Sequence, residues 1–457
     1  MVKGDFKDII DTLNPDMTIR HIPQLNMAFR KITDMDSVYA SLTPQDRINI
    51  AKMNAISIGS SANSVITNHE TFIDHFIQGL VIASVTGYEN VDEDPFLRES
   101  SFKAFLMGKL IEGGMKRAGV YENDNPIISL SKDLIVRLTD SPEPLEDPLL
   151  LRYAAGANLM PKPIEAWMKN LGCLKVYRDG AGGLTFLKAV IQRLLEDPKH
   201  PFWGVLGSGR SNNGFTPMPN PFLLKPSFKV EGSYITPISI SWESHPDMYA
   251  KSLTQRVRAI NTPGSDLEKS DLEAMTTSSR RILRVQGQAV DAFKGFGYLA
   301  NELSHYFAFA LNNGPAKCDV TVQEPILVSD LIEQGYNLRT AGPVIRDRVI
   351  DGYKLFFKNL KDYAASRIVG NGIPIGEYES RKRAFAPELT EILDSLPNDI
   401  LVDISHDAVE ATSQILGSLE EPDYKTRIAQ RFTRLVIPSH TQYGANRVSE
   451  IIEHHKS

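Results

Sequence analysis

Residues 276–312 read TTSSRRILRVQGQAVDAFKGFGYLANELSHYFAFALN. Within them Ile282, Val285, Ala289, Phe293, Phe296, Ala300, Leu303, Phe307 and Ala310 recur at steps of three and four. That spacing predicts one helix over 279–312, with an apolar face of roughly eight turns, about 45 Å long. So long and aromatic a stripe suits a central strut around which other helices pack. The first turn carries Arg280, Arg281 and Arg284 at the positive end of the helix dipole, which disfavours cations by a few tenths of a kcal/mol each. Ser278 and Ser279 stand just before them. Guanidiniums, hydroxyls and free helix N–H groups form a candidate phosphate site.

Working outward, a second strut is expected from Pro343 to Ile368. Its face is Ile345, Val349, Phe356, Leu360 and Tyr363, and Gly370 is the stop. Towards the N-terminus, Thr43-Pro44-Gln45-Asp46 is a helix start, with a hydroxyl cap, proline at the first helical position and an acid in the first turn. That helix runs to Ile58, and Asn68 opens another. Leu149 to Leu159 also reads as helix. The middle of the chain adds short strands: Cys173 to Tyr177, a hairpin from Ser227–Glu231 and Tyr234–Trp242, and Cys318 to Gln323. The expected class is therefore mainly α, with two long helices in the C-terminal half and a few short strands or hairpins in the middle.

Two polar, proline-bearing stretches suggest boundaries. The segments are an N-terminal helical domain over 1–145, a mixed α/β region over 146–262, and a C-terminal helical domain over 263–457 built on the long helix. The middle segment contains a Gly/Asn/Pro-rich stretch over 203–226 with the run GSGRSNNG. A loop this long inside a compact chain is functional, mobile, or an arm that orders on a neighbour. Trp203, Arg210, Phe215 and Phe222 are its candidate assembly residues.

Composition narrows function by exclusion. The chain has 457 residues and a net charge of −6, so any attraction to nucleic acid or anionic membrane must come from local patches. Cys173 and Cys318 cannot build a disulfide framework, and they lack metal-ligand spacing. With no apolar leader, this fits a reducing compartment, and the chain is not expected to be secreted or to span a membrane. Residues 339–383 hold ten Lys/Arg against five Asp/Glu, net +5, which leaves −11 elsewhere. In that segment Arg381, Lys382 and Arg383 form a basic run expected in a loop before Pro387, a second candidate phosphate contact.

Enzymatic signatures are thin. The turn Asp179-Gly180-Ala181-Gly182-Gly183 follows a strand and precedes a helix, as phosphate loops do, but lacks the lysine and spacing of a P-loop. Glu302 and His305 have di-metal helix spacing without a second such pair. His69 and His75 are out of phase for joint ligation. Gly207-Ser208-Gly209 is no nucleophile elbow. No metal, cofactor or catalytic set is expected. The pattern points to a self-assembling viral coat or nucleocapsid-type protein, in the virion and host cytoplasm. Its partners would be its own copies and RNA, bound without sequence preference. The alternatives are an intracellular enzyme on a nucleotide or phosphorylated substrate, and a helical scaffold for an acidic partner.

Overall fold

The computed structural model describes residues 33–58, 61–71 with 74, 77, 78 and 81, 152–156, 173–176, 191, 192, 195 and 196, 202–207, 211–248 apart from 212 and 247, and 309, 313–419 apart from 371, 435, 437 and 439–456. The long helix expected over 279–312 lies outside them, save helical Phe309.

Helix α1 (Met35–Ser41) is capped by Asp34, and α2 spans Pro44–Ile58. The α2 start is the one its sequence announces. Asp46 N–H donates to Thr43 Oγ1 at 3.1 Å, and Thr43 N–H returns to Asp46 Oδ2 at 2.9 Å. This reciprocal cap satisfies two otherwise orphaned donors. The same carboxylate accepts Val322 N–H at 3.0 Å, and Asn49 donates to Val322 O at 2.7 Å, so α2 is docked on a strand end.

The fold is mixed α/β, which corrects the mainly α expectation. Strands β1 (Asn63–Thr67), β2 (Arg152–Gly156), β3 (Cys173–Val176), β4 (Phe202–Val205) and β5 (Tyr234–Trp242) are joined by β6 (Cys318–Val322) and β7 (Ile326–Leu327). They form one seven-stranded sheet in the order β3-β2-β4-β1-β5-β6, with β7 also on β5. The first five run parallel, while β6 and β7 are antiparallel to β5. Its strands come from all three sequence segments.

The sheet was hidden for a physical reason. A parallel strand covered on both faces has no polar-apolar alternation. All five β1 residues are buried, Ser64 and Thr67 included, so nothing in NSVIT marks a face. β2 lies where Leu149 to Leu159 was expected to be helical. The expected hairpin is absent: 225–232 is a run of turns, and β5 lies parallel to β1 with Ile235 opposite Ser64. Pro237 is tolerated in an inner strand because β7 reaches only Tyr234 and Ile235, while β6 starts at Ile238. Trp203 is no arm residue; it sits in β4 opposite Val65 and is buried.

Short α3 (Pro221–Leu224) precedes β5, and α4 (Val328–Glu333) follows β7. The second strut is two helices, α5 (Ala341–Asp351) and α6 (Phe357–Val369), separated by β8 (Leu355–Phe356). Gly352 lies against Ser239 on β5, Ser239 Oγ donates to Val349 O at 2.5 Å, and Lys354 N–H donates to Ser241 Oγ at 2.9 Å. These contacts pull the chain out of helix. Val349 and Phe356 stay in helical phase across the break, so periodicity alone reads through it. Helix α6 ends at Gly370, φ 55°, as expected. Then come α7 (Tyr378–Ser395), β9 (Leu401–Val402, paired with β8), α8 (Ala408–Ser418) and α9 (Ser439–Lys456). Ile345, Val349, Leu360, Leu389, Ile415, Val448 and Ile451 form the core these helices share with the sheet.

Candidate functional site

The crossovers β1→β2→β3 step one way along the sheet, and β3→β4→β5 step back. With right-handed crossovers the strand order reverses between β1 and β4, and the carboxyl ends flanking such a point are where open α/β sheets bind ligands. Here the segments after those strands run together: Leu206 N–H donates to Thr67 O at 2.8 Å and Ser211 N–H to His69 O at 2.7 Å. Over them lies a buried charged network.

Glu70 is its centre, 2 % exposed. Asn68 fixes it by donating to Glu70 Oε1 at 2.8 Å, while bonding Ile240 of β5 through both its amide atoms. Arg447 of α9 bonds the same carboxylate oxygen, and the Tyr443 hydroxyl donates to the other. Arg447 Nη1 also reaches Thr216 Oγ1 at 2.7 Å and Glu450 at 3.0 Å, and its guanidinium lies 4.1 Å from the Tyr353 ring centroid. Glu450 accepts Thr216 N–H at 2.9 Å and Arg346 at 2.6 Å. Burial alone would lower the Arg447 pKa, but Glu70, Tyr353, Tyr443 and Glu450 together outweigh it and the guanidinium stays charged. Burial, then Glu70, pushes the Tyr443 phenol well up.

Asp74 organises the other side. It accepts Glu70 N–H at 2.6 Å, Thr71 N–H at 2.8 Å, the Thr71 hydroxyl and Trp242 Nε1 at 3.0 Å, with His69 Nδ1 3.4 Å away. Burial pulls its pKa up, but the His69 and Thr71 contacts prevail and hold it below the ordinary carboxylate value. His245 Nε2 lies 2.9 Å from Glu70 O while its Nδ1 accepts Met248 N–H at 3.3 Å, the neutral Nε2–H tautomer. Its ring meets Tyr443 edge-on at 4.5 Å.

Tyr443 and His245 are also the wall between this network and a small open cleft. The cleft is lined by the end of β5 (Trp242, Glu243, Ser244, His245), the first turns of α6 (Lys358, Asn359, Asp362) and the start of α9 (His440, Tyr443, Gly444), with Phe309 and Asn313. Asn359 ties α6 to the sheet through Trp242 O and Glu243 O, both at 3.1 Å. Lys358 Nζ lies 2.9 and 3.2 Å from the Asp362 carboxylate oxygens. Burial raises the Asp362 pKa against the pull of Lys358 and the Thr441 hydroxyl. No protein-family model matches this sequence. None of the curated proteins compared with it matches either.

The residues singled out from sequence stand elsewhere. Ser278, Ser279, Arg280, Arg281, Arg284, Arg210 and the turn Asp179–Gly183 lie outside the described residues. Arg381, Lys382 and Arg383 are not in a loop: they form the first turns of α7, which runs through Pro387 to Ser395. There Arg381 pairs with Glu377 at 3.5 Å, Lys382 donates to Leu419 O at 2.9 Å, and Arg383 bonds Glu379 O at 3.3 Å. Acids three and four residues earlier made helix the better state. Phe222 packs beside Ala62, Ile191, Leu195 and Phe202, whereas Phe215 is 41 % exposed. Among the described residues no group of three or more His, Cys, Asp or Glu side chains is placed to hold a metal, and no helix is long and apolar enough to cross a membrane.

Sequence reading missed Glu70, Asp74, Tyr443 and Arg447; Lys358 and Asp362 fall in the basic segment 339–383, but nothing there marked them as a pair on a cleft. One local signal existed: Asn68-His69-Glu70-Thr71 is strongly polar directly after a β-branched run, as a strand's functional end is. Glu70 and Arg447 are 377 positions apart, and no local pattern joins them.

Proposed function

We propose that this chain is an enzyme-type α/β protein that binds a small polar metabolite, of nucleotide or phosphorylated class, at the carboxyl edge of its sheet. One observation carries the reading: a cleft with a few charged groups on an otherwise largely apolar lining adjoins a buried, charge-matched network at the ends of parallel strands, beside the reversal of strand order. The network holds two of the cleft's lining side chains, Tyr443 and His245, in place, and fixed geometry is what a binding or catalytic constellation needs. A thermal-shift screen with nucleoside phosphates, sugar phosphates and matched non-phosphorylated compounds tests this. Stabilisation by the phosphorylated compounds and not by their matched counterparts supports the reading, and a flat response across all classes at millimolar concentration removes it.

A second reading, a self-assembling RNA-packaging coat protein, is favoured by the segregation of +5 in 339–383 on a chain otherwise −11. Arg381 and Arg383 remain exposed on α7. Light scattering with the 260/280 nm absorbance ratio, on protein purified at low salt without nuclease, separates the two. Large particles with an elevated ratio would favour packaging, and a monomer free of nucleic acid would remove it.

A further inference from the structure

Resting on the small-molecule reading above, we infer that the cleft is a site for a small oxyanion, in which Lys358 is the anchor and Asp362 the internal counter-ion that the ligand displaces. The asymmetry of the pair is the argument. The Lys358 side chain is 36 % exposed on the cleft and that of Asp362 only 11 %, so an incoming ligand meets the ammonium first. An ammonium has three donors, and the carboxylate does not exhaust them. A cation entering the same mouth meets Lys358 ahead of the carboxylate behind it.

Asp362 can lose its partner without being orphaned. The Thr441 hydroxyl still bonds it, and burial raises its pKa, which makes protonation easier once the ammonium has moved away. The groups around it are Lys358 and Lys361 on its own helix, Thr441 and Gly444 on α9, and Glu243, His245 and His440 on the cleft lining. A phosphate, with up to two charges and three acceptor oxygens, offers a point-like ammonium more charge and more acceptors than one carboxylate does. A carboxylate ligand uses the same donor more weakly.

The test is isothermal titration of the full-length protein with inorganic phosphate, with acetate, and with the best compound from the thermal screen. Wild type is compared with Lys358→Met and Asp362→Asn. Both variants leave the Glu70 network intact, and near-UV circular dichroism verifies their fold. Lys358→Met is expected to weaken phosphate binding at least tenfold. Asp362→Asn is expected to strengthen it several-fold, because the competitor is gone. Opposite signs at the two halves of one ion pair are the signature of displacement, and a merely structural pair would not give them. Equal affinity in all three proteins, or weakening by Asp362→Asn, overturns the inference. Binding of a neutral screen compound alone also overturns it, and with it the phosphorylated class of the ligand, while leaving the cleft a small-molecule site. Acetate equal to phosphate overturns the phosphate preference. No binding by any compound removes both readings.

Discussion

Glu70 and Arg447 meet with almost no solvent around them, and at that depth breaking a pair costs more than its presence contributes. Removing one partner of a buried ion pair leaves an uncompensated charge, typically about 3–5 kcal/mol. Arg447→Met is expected to cost that much in chemical denaturation. Glu70→Gln should cost less, because its amide still bonds Tyr443 and leaves Arg447 with Glu450. The double variant should recover roughly 2 kcal/mol relative to the sum, and strict additivity would show that the two charges do not interact. Two aspartates predict opposite pH behaviour. Asp74 has a lowered folded pKa, so its stabilisation is present above the unfolded value of 3.8 and is lost as pH falls through the folded value. Asp319 is raised to about 6 by burial, against hydrogen bonds from Ser41 and Thr321. Its favourable neutral form is lost as pH rises from about 4 through about 6. Asp319→Asn should therefore stabilise the protein by roughly 2 kcal/mol at pH 7.5 and by little at pH 4, whereas Asp74→Asn should destabilise it at pH 7.5 and less at pH 3. Urea titrations at those pH values check both signs. None of these roles was legible in the sequence: an aspartate's pKa depends on partners from other elements, such as Trp242 on Asp74.

Elements were legible where their cause is local. The Thr43-Pro44-Gln45-Asp46 start of α2, the Gly370 stop of α6 and the strands β3 and β6 follow from residues within a turn or two. Elements whose cause is distant were not. β1 lacks alternation because it is buried on both faces, and the α5–α6 break is imposed by Ser239 and Ser241 on β5. The same logic sets how closely helices approach. A Cβ on Gly444 of α9 would stand 2.9 Å from Asp362 Oδ2 on α6, so the two helices touch where only glycine fits. Gly444→Ala is expected to cost about 1–3 kcal/mol through overpacking. Gly417→Ala, where an added Cβ meets nothing within 4 Å, should leave stability unchanged or raise it slightly. Equal melting curves for the two variants would mean that α9 can slide to relieve the contact.

At the scale of the molecule, α9 is the element that turns a sheet edge into a site. It brings His440, Tyr443 and Gly444 to the cleft, Arg447 to Glu70, and Glu450 to Thr216, and it adds Val448, Ile451 and Ile452 to the core. The charges on the sheet side are complete only with it in place: without α9, Glu70 loses its counter-ion and Arg346 keeps only the longer contact with Asp347, 3.6 Å. The same helix thus closes the apolar core and neutralises the polar centre, so the two cannot come apart separately. A chain ending at 438 is expected to lose the cooperative thermal transition and to bind a hydrophobic dye. The full-length Arg447→Met variant should keep a single transition at lower temperature. If the shortened chain melted cooperatively near the wild-type temperature, α9 would be a peripheral addition. The cleft would then have to be built by the sheet and α6 alone.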